Sequence, residues 1–168
     1  LGVTEAGTLV PGAVRSSVAL GILLNEGIGD TIRVSLTNKP EKEVKVALEI
    51  LRSLGLRAPG PAITSCPTCG RTKVDLQRVA SQVEDALEVL YRDRLNQAVE
   101  QPNNRTIEQF PKVAVMGCAV NGPGEAKGAD VALCGGDGEF LLFVRGKPVG
   151  KVSEEDAVRK VVEHVVSL

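Results

Sequence analysis

Between Pro11 and Leu24, apolar residues fall at Val14, Val18 and through the stretch from Leu20 to Leu24, the recurrence of one buried helical face. Gly27 and Gly29 break the pattern. The period then changes. In "DTIRVSLT", Ile32, Val34 and Leu36 alternate with polar neighbours, which predicts a strand. "NKPEKEVKVALEILRSLGL" returns to helical spacing, with Val44, Leu48, Leu51 and Leu54 on one face, Pro40 in the first turn and Gly55 as the stop. With a short strand at Leu1 to Val3, the opening of the chain reads strand–helix–strand–helix, the βα repeat of a parallel α/β fold.

"RAPGPAI" is rich in Pro and Gly and marks the expected boundary, giving units of residues 1–57 and 58–168. Beyond it, Leu76, Val79, Val83, Leu87 and Leu90 share a face of a helix over 74–96. "QPNNRT" is expected as a loop. "KVAVMG" is a short apolar run, read as a buried strand ending at Cys118, and "DVALCGG" as another. Between them "NGPGEAKGA" is expected as loop. "EFLLFVRGKPVGKVS" reads as a hairpin turning at Gly146 and Lys147. Ser153 then caps a helix striped by Val158, Val161, Val162 and Val165, with Asp156 in the place of a capping-box Glu. The second unit is therefore α+β, with its cysteines at loops and strand ends.

Composition narrows the function. The 168 residues are 43% hydrophobic, and no apolar run approaches the roughly 18 residues of a membrane span. Twenty basic residues against 21 acidic ones give a net charge of −1, and aromatics are 2%, which speaks against nucleic acid as a partner. Four cysteines are too few for a disulfide scaffold and suit an intracellular metal or redox site. The chain starts at Leu1 within what reads as the middle of a domain, so it is expected to be a piece of a longer protein.

Cys66 and Cys69 in "SCPTCGRT" form a knuckle able to turn both sulfurs toward one centre. Zinc would ask for a second closely spaced pair, and Cys118, Cys134 and His164 supply none. A redox dithiol would suit a CxxC shortly before a helix, yet it leaves the second cysteine loop, "MGCAVNGPGEA", unexplained. An iron–sulfur cluster uses both loops: three thiolates and one different ligand, the latter leaving one iron exchangeable.

"ISCPTCGRT", "VAVMGCAVNGPGEA" and "ADVALCGG", together with "LGVTEAG" and "GIGDTIRVSLT" near the start, resemble in sequence and order the C-terminal part of the 4-hydroxy-3-methylbut-2-enyl diphosphate synthase family. Its members act in the methylerythritol phosphate route to isoprenoids. The resemblance implies the tail of a TIM-type barrel followed by a [4Fe–4S] domain related to those of sulfite and nitrite reductases. It places cluster ligands on Cys66, Cys69, Cys118 and the carboxylate of Glu125. It sets Asn121 beside cluster and substrate, and the substrate's diphosphate on Arg33 and Ser35. Glu5 falls at the barrel's C-terminal end, where it faces the reacting substrate and is expected to handle a proton.

The implied reaction is the two-electron opening and dehydroxylation of methylerythritol 2,4-cyclodiphosphate, with electrons from ferredoxin or flavodoxin. A homodimer and a bacterial cytoplasm are implied as well. Most of the barrel lies outside these residues, so the chain alone is expected to be without turnover. The competing class is a non-catalytic module, either an electron carrier or a zinc-stabilised domain. Residue by residue the plain alternatives are an ordinary loop carboxylate at Glu125, a turn residue at Asn121, a polar strand face at Arg33 and Ser35, and a local cap at Glu5. Cys134, in an apolar strand, reads as structural, and His164 as a solvated or half-buried helix position.

Overall fold

The computed structural model describes residues 1–57, 60–100 and 110–168. The "QPNNRT" loop and, in "RAPGPAI", Ala58 and Pro59 lie outside the described residues. The chain divides into two compact units, Leu1–Pro59 and Gly60–Leu168.

The first unit holds helices α1 (Leu9–Asn25) and α2 (Pro40–Ser53). Both end in a left-handed glycine. After α1, Gly27 N–H bonds Leu24 O and Ile28 N–H bonds Leu23 O; after α2, Gly55 and Leu56 repeat this with Arg52 and Leu51. The two expected strands are corrected: among the described residues of this unit no strand forms. What exists is a parallel contact at Leu1, with Thr37 N–H donating to Gly7 O at 2.9 Å farther along. The Leu1 ammonium donates to Thr31 O at 2.6 Å, and Arg33 N–H donates to Leu1 O at 2.7 Å. A single such pair is the beginning of a ladder and not yet a strand. Alternation still sorts the side chains, with Val34 and Leu36 buried against Leu20, Leu24 and Ile50.

The expected apolar faces also shift. On α1 the buried positions are Gly12, Ser16, Leu20 and Leu24, whereas Val14 and Val18 are 57% and 60% exposed. Val44 on α2 is exposed too. The helix α1 is apolar nearly all round, so periodicity does not choose its inner face. Small residues do: Gly12 admits the side chain of Leu36 at close quarters.

The second unit is a five-stranded sheet in the order β1 (Ile63–Ser65), β2 (Val113–Met116), β3 (Val131–Gly135), β4 (Glu139–Val144), β5 (Lys147–Ser153). The first three strands are parallel and the last two antiparallel. Helices α3 (Leu76–Glu100) and α5 (Glu154–Ser167) cover one face, where Val79, Val83 and Leu87 meet Val113, Val115, Val131, Leu133, Phe140, Leu142, Val161 and Val165. The opposite face carries smaller residues, Ala114, Met116, Ala132 and Cys134, beneath a short helix α4 (Gly122–Ala126). No helix among the described residues is long and apolar enough to cross a membrane.

Three expectations change here. β1, sharing only Ile63 with the stretch taken as boundary, is a strand the sequence reading did not expect, and α4 forms within the stretch taken as loop. The hairpin turns at Arg145 and Gly146, one residue earlier than expected, with Val144 opposite Lys147. Both turn residues have positive φ, 49° and 73°, which is what a two-residue turn matching strand twist demands.

Candidate metal centre

Because β1, β2 and β3 run parallel, their carboxyl ends lie on one edge of the sheet, and the cysteines cluster there. Cys66 follows β1, Gly117 and Cys118 follow β2, and Cys134 and Gly135 close β3. Pairing of Ser65 with Val115 and of Met116 with Cys134 sets the register. Where the β1–β2 ladder ends, the next donor finds a sulfur: Gly117 N–H points to Cys66 Sγ at 3.3 Å.

Cys118 is buried and its chain turns at once into α4. Gly122 N–H donates to Cys118 O at 3.2 Å, and Glu125 N–H to Asn121 O at the same distance. The backbone N–H groups of Asn121, and next Val120, are directed at the Cys118 sulfur and lower its pKa from the ordinary thiol value; burial opposes them and Arg71 assists. Cys134 lies on the α4 face with the reverse character. Burial, aided by the neighbouring Cys118 charge, pushes its thiol up to about 11. All four cysteines are free.

Cys69 is held by its own turn. Thr72 Oγ1 accepts from Cys69 N–H at 3.3 Å, while Thr72 N–H donates to Cys69 O at 3.0 Å. Lys73 N–H reaches across to Gly117 O at 3.3 Å. The start of α3 is fixed nearby, with Asp75 capping Arg78 N–H and Glu154 of α5 accepting from Asp75 N–H and the Arg78 guanidinium. Thus Cys66, Cys69 and Cys118 sit on loops tied to one another. Asn121 and Glu125 are exposed on α4, immediately beyond.

Do these groups suit an iron–sulfur cluster? Among the described residues no three His, Cys, Asp or Glu gather closely enough to hold a single ion. A cluster makes a different demand, since each ligand binds its own iron and the donors stand farther apart. The chemistry of the set is right: three free thiols on neighbouring loops, the Cys66 sulfur receiving the Gly117 N–H and Cys118 favoured as thiolate by the backbone N–H groups of Asn121 and Val120. The residues fit.

The other expected residues belong to the first unit. Arg33 and Ser35 share the side of their extended segment opposite the buried Val34 and Leu36. Arg33 Nη2 donates to Thr4 Oγ1 at 3.0 Å. Glu5, next to Thr4, is exposed and takes a left-handed φ of 57°. That conformation is uncommon for a residue with a side chain and is concentrated at functional sites. Sequence reasoning passed over Thr72 and Gly117. The available signals were a Thr three residues beyond Cys69 and a Gly directly before Cys118.

A family model described as the GcpE protein C-terminal domain matches residues 62–167, and one described as the GcpE TIM-barrel domain matches residues 1–48. Among curated proteins the chain is similar to three named 4-hydroxy-3-methylbut-2-en-1-yl diphosphate synthase (flavodoxin). Identity is 55% over 155 residues with that of Desulfotalea psychrophila, covering 92% of this chain and 38% of the relative. It is 53% over 156 residues in Maridesulfovibrio salexigens, covering 93% and 39%. In Caldicellulosiruptor saccharolyticus it is 51% over 168 residues, covering 100% and 43%. The chain therefore spans about two fifths of the length of these relatives.

Proposed function

The chain belongs to the GcpE family, and from that premise we propose that it is the C-terminal portion of an oxidoreductase of isoprenoid biosynthesis, acting in a bacterial cytoplasm. The reaction takes 2-C-methyl-D-erythritol 2,4-cyclodiphosphate, opens the ring and removes one hydroxyl as water. Two electrons and two protons are consumed and 4-hydroxy-3-methylbut-2-enyl diphosphate is formed. Flavodoxin, named in the relatives, is the donor, with ferredoxin the alternative. Residues 1–57 contribute βα units to a TIM-type barrel and residues 58–168 form the cluster domain, of the kind in sulfite and nitrite reductases. The whole protein is a homodimer.

Cys66, Cys69 and Cys118 would hold three irons of a [4Fe–4S] cluster and Glu125 the fourth, an oxygen ligand that leaves more readily than thiolate. When bound, the cluster supplies single-electron transfer and one iron with an exchangeable position. The protein's part is to prepare these ligands. The Gly117 N–H orients the Cys66 sulfur, and N–H groups of Asn121 and Val120 favour the charged form of Cys118. Arg33 binds the diphosphate through its planar fork and Ser35 adds a hydroxyl on the same side. Thr4 steadies the Arg33 guanidinium. Asn121, at the entrance to α4, orients the substrate beside the cluster. Glu5 handles the proton that leaves with the departing hydroxyl.

One observation carries this reading: the Gly117 N–H aimed at Cys66 Sγ, which joins the two cysteine loops into one site. Anaerobic reconstitution with iron and sulfide tests it. The expected result is broad brown absorption, lost when Cys66, Cys69 or Cys118 is replaced by Ser and kept in Cys134→Ser. A colourless protein holding one stoichiometric zinc overturns it.

A further inference from the structure

We infer that Thr72 is the positioning residue that sets the spacing between the two ligand loops, its hydroxyl holding Cys69 and its methyl gauging the distance to Gly117. The inference rests on the cluster reading above and concerns a side chain that binds no iron itself. Thr72 closes a reciprocal pair of hydrogen bonds on the backbone of Cys69, accepting Cys69 N–H at 3.3 Å and donating to Cys69 O at 3.0 Å. The same side chain packs on Gly117. A Cβ placed there would fall 2.9 Å from Thr72 Cγ2 and 3.0 Å from Thr72 Oγ1. Thr72, with Leu76 Cδ2 also 3.0 Å away, therefore fills the space that any residue other than glycine would need.

Gly117 is the hub of the other loop. It donates to Cys66 Sγ, accepts from Lys73 N–H at 3.3 Å and precedes Cys118 directly. Its carbonyl is wedged in turn against Gly135, where a Cβ would lie 2.6 Å from Gly117 O. So Gly117 has little freedom to retreat: β3 stands on one side and Thr72 on the other. One half-buried side chain thereby touches the backbone of Cys69 and of the residue that serves both Cys66 and Cys118. Groups that orient ligands from behind typically change metal affinity ten- to a hundredfold when removed.

Hydroxyl and methyl are separable. Thr72→Val keeps the shape against Gly117 and deletes the acceptor for Cys69 N–H. Thr72→Ser keeps the acceptor and removes the methyl. The measurement is anaerobic iron release from the reconstituted chain to a chelator, with the electron paramagnetic resonance spectrum of the reduced cluster and the melting temperature of the chain without iron. Thr72→Val is expected to release iron about tenfold faster and to shift the spectrum, with its iron-free melting temperature unchanged. Thr72→Ser is expected to release iron faster than the parent but less so than Thr72→Val, a parent-like rate overturning the part assigned to the methyl, and Gly117→Ala to reconstitute poorly.

Parent-like release and spectrum in Thr72→Val overturn the inference. So does a loss of melting temperature that accounts for the faster release. If the parent chain itself forms no cluster, the cluster reading fails first, a result distinct from a parent that loads and a variant that behaves like it.

Discussion

At the scale of single residues, the centre depends on where side chains are missing. Gly117 and Gly135 let two chain segments touch through backbone, and Gly122 lets α4 lie directly on the side chain of Cys134. A Cβ at Gly122 would lie 2.7 Å from both Cβ and Sγ of Cys134, contacts that force one partner to move. Cys134 is buried on its strand between paired neighbours and has no space to yield. Gly122→Ala is accordingly expected to destabilise the second unit by about 1–3 kcal/mol, measured by urea unfolding. No change of midpoint would show that α4 rides over Cys134 more loosely than these contacts imply. The cysteines of the candidate site stood out in the sequence because thiols at short spacing are rare and chemically specific. The glycines and Thr72 did not, since their role comes from strand register, which places residue 72 against residue 117. Glu125 was singled out only through family resemblance, because a loop carboxylate carries no mark of its own.

At the scale of elements, α5 shows a signal that sequence and structure share. Ser153 adopts extended backbone, and its hydroxyl accepts Asp156 N–H at 3.2 Å. Ser153→Ala should cost about 1 kcal/mol at any pH where the unit folds. The charges of the same helix depend on pH. Hydrogen bonding from Arg159 holds the Asp156 carboxyl below the usual range, and Lys160, then Arg159, do so for Glu163. A carboxyl depressed in the folded state adds stability above its unfolded value near 4, and this is lost as pH falls through the folded value. The melting-temperature gap between the parent and Asp156→Asn is thus expected at pH 7 and should shrink as pH falls below about 4, closing once it is below the folded value. A gap independent of pH would assign the effect to packing. Helices α3 and α5 were readable for the same reason that α5 is well capped: a single apolar stripe opposite a charged face. α1 was misread because apolar residues surround it, and the hairpin was placed one residue late because Arg145 accepts a left-handed turn position usually given to Gly or Asn.

At the scale of the whole molecule, the two units differ in how completely each satisfies itself. Gly60–Leu168 has a five-stranded sheet with buried side chains on both faces. Leu1–Pro59 has a smaller core of Leu20, Leu24, Val34, Leu36 and Ile50, and no strand among its described residues. It also leaves Val10, Val14, Val18 and Ile22 exposed along α1, apolar area that gains nothing from folding. Chains of about 60 residues are marginal even when well packed. The first unit should therefore unfold first. The composition provides a way to see it: the chain has no tryptophan and one tyrosine, Tyr91, which lies in the second unit edge-on to Phe110 at 5.5 Å between ring centres. Far-ultraviolet circular dichroism follows helices in both units, whereas tyrosine fluorescence follows only the second. In a urea titration the helical signal of α1 and α2 should be lost before the tyrosine signal changes. Residues 60–168 made alone should reproduce the tyrosine midpoint of the full chain. Coincident transitions, or an unfolded 60–168, would mean that the first unit contributes stability beyond its own core.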